Sequence, residues 1–171
     1  MTALNRHDFA VKWTVFAVAL LPVWFLETYV LSRLPVFGVK PMLLPLAVVA
    51  VATVEGARSG GTFGLAVGIL CDALYGTGGA MTLGLTLVGV ATGLAAQYLL
   101  RQNLLGCFLC SLGALAAIDG CRIVRRLLDG VALGPMLRVA GLEIVWSLVF
   151  VAPVYVLFHW VHNRTEAATL F

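Results

Sequence analysis

Apolar residues occur along the chain in six long runs, separated by short groups of glycine, proline and charged residues. The runs cover residues 13–31, 41–57, 62–76, 80–100, 104–121 and 139–162. A helix needs about 20 apolar residues to cross the hydrocarbon core of a bilayer, and the second and third runs fall short of that length. Short helices are tolerated in a membrane when neighbouring helices bury them. The pattern predicts an all-α integral membrane protein, a bundle of six transmembrane helices.

The connections between the runs are short, so we expect consecutive helices to be antiparallel neighbours in one domain. The breaks fall at residues 35–41, 59–61, 76–79 and 101–103. The expected organisation is a polar tail at residues 1–12, a membrane domain at 13–162 and a C-terminal tail at 163–171. The first run is not followed by a small-residue cleavage site, so we expect it to be retained as an anchor.

The longest connection, residues 121–138, mixes three arginines, Arg122, Arg125 and Arg126, with apolar residues. This mixture is typical of an amphipathic segment that lies along the membrane interface. In the six-span topology the basic residues divide almost evenly between the two sides of the membrane. The positive-inside rule therefore sets no orientation.

The composition agrees with a membrane protein. Of the 171 residues, 61% are hydrophobic and 11% are charged, against about 25% charged in soluble domains. The net charge is +3, and basic residues near a bilayer usually contact lipid phosphates. We therefore predict the lipid bilayer as a partner and no nucleic acid.

Glycine recurs at four-residue spacing before an aspartate that continues the same helical face. The positions are Gly60, Gly64, Gly68 and Asp72, and Gly89 and Gly93 repeat the spacing in the next run. Small residues at this spacing let another helix approach closely. A charge facing lipid would cost at least about 2.5–3.5 kcal/mol, so we expect Asp72 to face protein. It either acts as a functional intramembrane acid or bonds backbone donors of the turn from Gly76 to Gly79.

Four other acids lie in or beside the apolar runs: Glu27, Glu55, Asp119 and Glu143. Glu55 precedes Arg58 by three residues, Asp119 precedes Arg122 by three, and Arg138 comes shortly before Glu143. These spacings favour neutralised ion pairs near helix ends. A proton or cation path is the alternative, and it would need several of the acids to converge inside the membrane.

Cys107 and Cys110 form a C-x-x-C pair, which suggests a membrane thiol oxidoreductase that acts on a quinone. A redox thiol needs a nearby cation or helix N-terminus to lower its pKa, and Arg101 is the one candidate. The four cysteines are more simply small buried apolar residues. His159 and His162 lack a third metal ligand in register, so we expect them to anchor the interface beside Trp160. We predict no metal and no cofactor.

Residues 60–83 resemble the signature region of the MreD family, the rod-shape-determining membrane subunit of bacteria. The resemblance rests on a G-x-x-x-D-x-x-x-G core, Gly68, Asp72 and Gly76, with Gly78 and Gly79 beyond it. Prolines in the second and sixth runs and Asp119 in the fifth are also similar. The arginine-rich stretch 122–126 and the even charge distribution depart from the family and put the orientation in doubt.

The resemblance implies a six-helix domain like the substrate-binding component of energy-coupling-factor vitamin transporters, in the bacterial inner membrane. It also implies a non-enzymatic scaffold that binds the single-span protein MreC beside the filament protein MreB. The glycosyltransferase RodA and its penicillin-binding partner lie nearby in that machinery, which synthesises lateral peptidoglycan. The alternative is a true vitamin-binding transporter component. Against it, the first run lacks an A-x-x-x-A docking face, and polar residues for a vitamin are sparse.

Overall fold

The computed structural model describes residues 3–31, 33, 41–98, 104–128 and 133–169. Every element in these ranges is a helix, so the all-α prediction is confirmed. The elements in chain order are α1 (Ala3–Phe25), which continues into a π-helix (Leu26–Leu31), α2 (Leu44–Glu55), α3 (Ala57–Tyr75), α4 (Ala80–Tyr98), α5 (Leu104–Leu128), α6 (Leu133–Val149) and α7 (Val151–Thr169).

Three stretches are long and apolar enough to cross a membrane: Trp13–Leu31, Ala80–Tyr98 and Leu104–Arg125. The helices Met136–Val149 and Val151–Arg164 form a fourth candidate if the bent pair counts as one span. These numbers refer to the described ranges. They support a multi-pass membrane protein, and the arrangement with six spans stays a prediction.

Helix α2 lies at the centre of the bundle. Its side chains are buried from Leu44 to Thr53, and it contacts α1, α3, α4, α5 and α7. A 12-residue helix reaches only about 18 Å at 1.5 Å per residue, too short to cross the bilayer core. Neighbouring helices enclose it, and such burial is what makes a short helix tolerable inside a membrane.

Helix α3 is longer than the sequence predicts. The expected break at residues 59–61 is wrong, because the chain is helical there and the break falls at Gly56, with φ 89°. Gly60 and Gly61 pack against neighbouring helices so closely that added Cβ atoms would lie less than 3.0 Å from other atoms. Tertiary packing thus outweighs the low helix propensity of glycine.

Two predicted segments near the C-terminus are corrected. Residues 121–128 are the last two turns of α5 and do not start a separate interfacial helix. The sixth apolar run is divided between α6 and α7, which are bent by 43°, and Phe150 lies between them. Pro153 follows the break, and a proline cannot donate a hydrogen bond to the preceding turn of a helix.

The described parts of both predicted tails are helical, since α1 begins at Ala3 and α7 ends at Thr169. Helix α1 contains Pro22 and changes to a π-helix four residues later. In the core, the rings of Phe16, Phe63 and Phe158 join α1, α3 and α7, with centroids 6.0–6.4 Å apart.

Candidate functional site

The glycine face of α3 packs directly on α4. Cβ atoms added to Gly60, Gly64 and Gly68 would lie less than 3.0 Å from backbone atoms of Gly89, Leu85 and Thr82, respectively. The two helices are therefore antiparallel and in backbone contact along this face, which is the packing that a small-xxx-small pattern allows. The predicted helix-packing role of these glycines is confirmed.

Asp72 continues this face and reaches the first turn of α4. Its Oδ2 accepts a hydrogen bond from the Thr82 amide at 2.9 Å, and its Oδ1 accepts one from the Met81 amide at 3.2 Å. The hydroxyls of Thr77 and Thr82 also donate to the carboxylate. A carboxylate at a helix N-terminus satisfies unpaired amides and favours the positive end of the helix dipole.

This geometry confirms the expectation that Asp72 faces protein, and it corrects the expected partners. We expect backbone donors from the turn 76–79; that turn instead contributes the Thr77 hydroxyl, and the backbone donors are Met81 and Thr82 in the first turn of α4. The fold brings the start of α4 back beside the end of α3, so that α4 presents its unpaired amides to Asp72. The carboxylate thus connects the two helices on either side of the turn.

The turn between α3 and α4 needs glycine for its backbone conformation. Gly76, Gly78 and Gly79 have φ angles of 63°, 63° and 89°, a region that costs other residues free energy. Added Cβ atoms at these three positions would meet nothing within 4 Å. Gly76 also ends α3, where its amide donates to the Asp72 carbonyl at 2.9 Å. The turn glycines therefore serve chain reversal, whereas those of α3 serve close packing.

Glu27 has the corresponding role at the start of α2. From the π-helix its Oε2 accepts hydrogen bonds from the Leu43 and Leu44 amides at 2.9 and 2.8 Å. Its Oε1 lies 3.5 Å from the hydroxyl of Tyr75 at the end of α3. The residue that precedes α2, Leu43, has no side-chain cap of its own, so this distant acid supplies the missing acceptor.

Ser147 of α6 completes the support of α2. Its Oγ accepts a hydrogen bond from the Met42 amide at 3.0 Å, and the serine is fully buried. Sequence reasoning missed this residue, because a single serine in an apolar helix carries no signal of its partner. Thr77 and Thr82 were also missed, although their position beside the glycine turn was a usable signal.

Arg122 lies between two acids, one from its own helix and one from α6. Its Nη1 is 3.6 Å from Asp119 Oδ1 and 3.4 Å from Glu143 Oε1. The predicted pair of Asp119 and Arg122 is confirmed. Glu143 was expected beside Arg138, and the structure places it opposite Arg122.

Glu55, at the other end of α2, meets a histidine of the last helix. His162 Nδ1 lies 2.5 Å from Glu55 Oε1, and both side chains are largely buried. His162 was expected at the interface, so this contact was missed. His159 is exposed and stacks on Tyr155 at 5.5 Å. Within the described ranges no group of three or more acidic, histidine or cysteine side chains could hold a metal ion.

All four cysteines are free thiols. Cys71, Cys107 and Cys110 are buried in the core as predicted, whereas the prediction is wrong for Cys121, which is exposed near the end of α5. The C-x-x-C pair lies inside α5 and is buried, which disfavours a reactive thiolate.

A cavity of about 310 Å³ opens at the end of the bundle where Glu27 supports α2. Its lining combines charged and polar side chains, Glu27, Arg122, Glu143, Tyr75 and Thr77, with apolar residues of α2, α3 and α4. Asp72 is not among the residues that line it. The five acids thus do not converge on one path. Glu27 and Glu143 line the cavity, whereas Asp119 does not line it and pairs with Arg122. Asp72 bonds the start of α4, and Glu55 contacts His162.

A comparison of the chain with protein-family models, with curated proteins and with solved structures finds no match.

Proposed function

We propose that this protein is a non-enzymatic membrane scaffold of the MreD type, which binds a single-span MreC-like protein and helps to organise peptidoglycan synthesis and cell shape. The bacterial inner membrane is its proposed location. Its other proposed partners are RodA with its penicillin-binding partner, and the filament protein MreB.

One observation carries this proposal. The carboxylate of Asp72, the residue at the centre of the motif, accepts bonds from Thr77, Met81 and Thr82, all of them protein donors. Both oxygens of the carboxylate are used in these bonds, which favours a structural role over proton or substrate binding. The glycine face on α4 and the supported turn make α3 and α4 a rigid pair. A rigid body with apolar outer faces suits a scaffold that receives partner helices.

The finer architecture belongs to the same proposal. We propose that α3 and the enclosed short helix α2, which crosses only part of the core, complete a six-helix membrane bundle like the substrate-binding component of energy-coupling-factor transporters, with the bent pair α6 and α7 as its sixth member. Helix α3 has 19 residues and reaches about 28 Å, close to the thickness of the hydrocarbon core.

Complementation of cell shape tests the scaffold. In rod-shaped cells depleted of their own MreD, the wild-type chain should restore rods, and Asp72→Leu should not. The matched variant in which both Cys107 and Cys110 are serine should restore rods as the wild type does. If that cysteine variant failed while its protein level stayed normal, the oxidoreductase hypothesis would replace the scaffold.

The cavity favours a second candidate function, that of a substrate-binding component of an energy-coupling-factor transporter. Its volume, about 310 Å³, lies at the lower end of the range for small-molecule sites, about 300–1,000 Å³. Co-purification with ATPase subunits would support this candidate over the scaffold.

A further inference from the structure

The cavity lies between two groups of helices at one end of the bundle. Glu27 and Tyr75 approach it from the π-helix and from α3, and Arg122 and Glu143 approach it from α5 and α6. The proposed scaffold function uses the glycine face of α3 and the apolar outer faces of the bundle, and it gives this cavity no role. The charged and apolar residues of its lining indicate which kind of ligand it can bind.

Arg122 offers hydrogen-bond donors to the cavity. A guanidinium has five N–H donors, and the contacts of Arg122 with Glu143 at 3.4 Å and with Asp119 at 3.6 Å are made by Nη1. These separations exceed the 2.7–2.9 Å or so of close charge-assisted bonds. The side chain is 38% exposed. Nε and Nη2 can therefore bind a phosphate or carboxylate without breaking a close ion pair.

The acids of the lining restrict the net charge of such a ligand. Glu27 and Glu143 border the same cavity as Arg122, and a purely anionic ligand would be repelled by both carboxylates. A ligand that also carries an ammonium group removes this repulsion, because the ammonium can lie beside Glu143 while the anionic group contacts Arg122.

The rest of the lining is apolar. Met42, Pro45, Met81 and Leu85 form the wall towards α2 and α4, and the two methionines can adapt to the shape of a ligand. Such a wall fits a hydrocarbon portion better than a second polar group. The bound molecule therefore needs an apolar body attached to its charged head.

We propose that this cavity binds a zwitterionic head group with an apolar body, its phosphate on Arg122 and its primary ammonium on Glu143. A phosphatidylethanolamine lipid and a free phosphoethanolamine ester share this head group. The proposal is independent of the scaffold, since it concerns a different part of the bundle.

Native mass spectrometry of the purified full-length chain tests this binding. The chain is first exchanged into detergent that contains three lipids with matched acyl chains. Phosphatidylethanolamine should be retained about tenfold more than phosphatidylglycerol, which lacks the ammonium, or phosphatidylcholine, whose ammonium has no N–H donor. Glycerophosphoethanolamine, the head without chains, forms a fourth arm. If it is retained too, the site accepts a free solute, and if only the lipid is retained, the apolar body is required.

The variants make the assignment specific. Arg122→Gln should lose retention of phosphatidylethanolamine, and Glu143→Gln should lose the preference over phosphatidylglycerol. Arg125→Gln is the matched control, because Arg125 is exposed one turn along α5 and does not line the cavity. Met81→Trp fills the apolar part with the charges intact and should also abolish retention, which covers the case that the charge variants misfold. Equal retention of all three lipids by the wild type, or unchanged retention by Met81→Trp, would overturn the proposal.

Discussion

Asp72 and Glu27 show how acidic residues in an apolar bundle can serve structure. Each accepts hydrogen bonds from two backbone amides at the start of a helix that follows it in the chain. The sequence predicts the direction of Asp72 because the four-residue spacing from Gly68 fixes its helical face. It does not predict the donors, since residues that lie 9 to 17 positions apart along the chain meet only after the helices pack.

The charge and hydrogen-bond acceptors of the Asp72 carboxylate should contribute more to stability than the volume of the side chain does. Asp72→Asn keeps the shape but directs an amide NH₂ group at donors, so the melting temperature in detergent should fall. Asp72→Leu should lower it further. Thr62→Ala is the control, because the Thr62 hydroxyl is exposed and bonds only to carbonyls of its own helix. If Asp72→Asn melted with the wild type, the carboxylate would not support α4.

Glu27 should stabilise α2 as a helix cap does. Glu27→Ala removes the acceptor of the Leu43 and Leu44 amides, and loss of a cap costs about 0.5–2 kcal/mol. Amide hydrogen exchange should increase at the start of α2 while that of α4 stays unchanged. Faster exchange throughout the chain would instead indicate that Glu27 supports the whole fold.

At the scale of the elements, the sequence predicts the short helix α2 and the packing face of α3 better than it predicts where the helices end. The glycine face and the antiparallel pair α3 and α4 follow from the spacing of Gly60, Gly64 and Gly68. The break at Gly56 does not, because Gly60 and Gly61 look like a turn until their close contacts with α2 and α4 are known. The break at Phe150 was missed because the run of apolar residues continues through it.

The contact between α3 and α4 should tolerate no side chain at its centre. A Cβ at Gly64 would collide with the Leu85 carbonyl, whereas one at Gly84 would meet nothing within 4 Å. Overpacking costs about 1–3 kcal/mol, so Gly64→Val should unfold at a lower temperature. Gly84→Ala should be neutral or stabilising by up to about 1 kcal/mol. Equal melting of both variants would contradict the close packing of these helices.

At the scale of the whole molecule, the buried helix α2 is supported at both ends by other helices. Glu27 and Ser147 hold its start, and His162 meets Glu55 at its end. The sequence identifies α2 as too short to span but gives no means of pairing Glu55 with a histidine 107 residues away. Such a pairing depends on how α7 packs after the bend.

A double-mutant cycle measures the connection between α2 and α7. Glu55→Ala and His162→Ala should couple by about 0.5–3 kcal/mol, the range for residues in direct contact. The same cycle with His159→Ala should show no coupling, because His159 is exposed and stacks on Tyr155. Coupling of equal size in both cycles would mean that α7 is displaced as a whole.

Thiol labelling in membranes reports the packing of the complete bundle. A membrane-permeant maleimide should react first at Cys121, which is exposed, and slowly at Cys71, Cys107 and Cys110, which are buried. Single-cysteine variants distinguish the four sites. Rapid reaction at Cys107 or Cys110 would show that the thiols of the C-x-x-C pair are accessible and would revive the oxidoreductase hypothesis.

The central claim is that a rigid glycine-packed bundle, in which Asp72 bonds the start of α4, serves as a scaffold and carries out no turnover. The most direct test is affinity purification of the tagged chain from native membranes, with identification of stoichiometric partners, beside Asp72→Leu as control. We predict an MreC-like single-span protein with the wild type and its loss with the variant. Stoichiometric ATPase subunits in place of that protein would contradict the account.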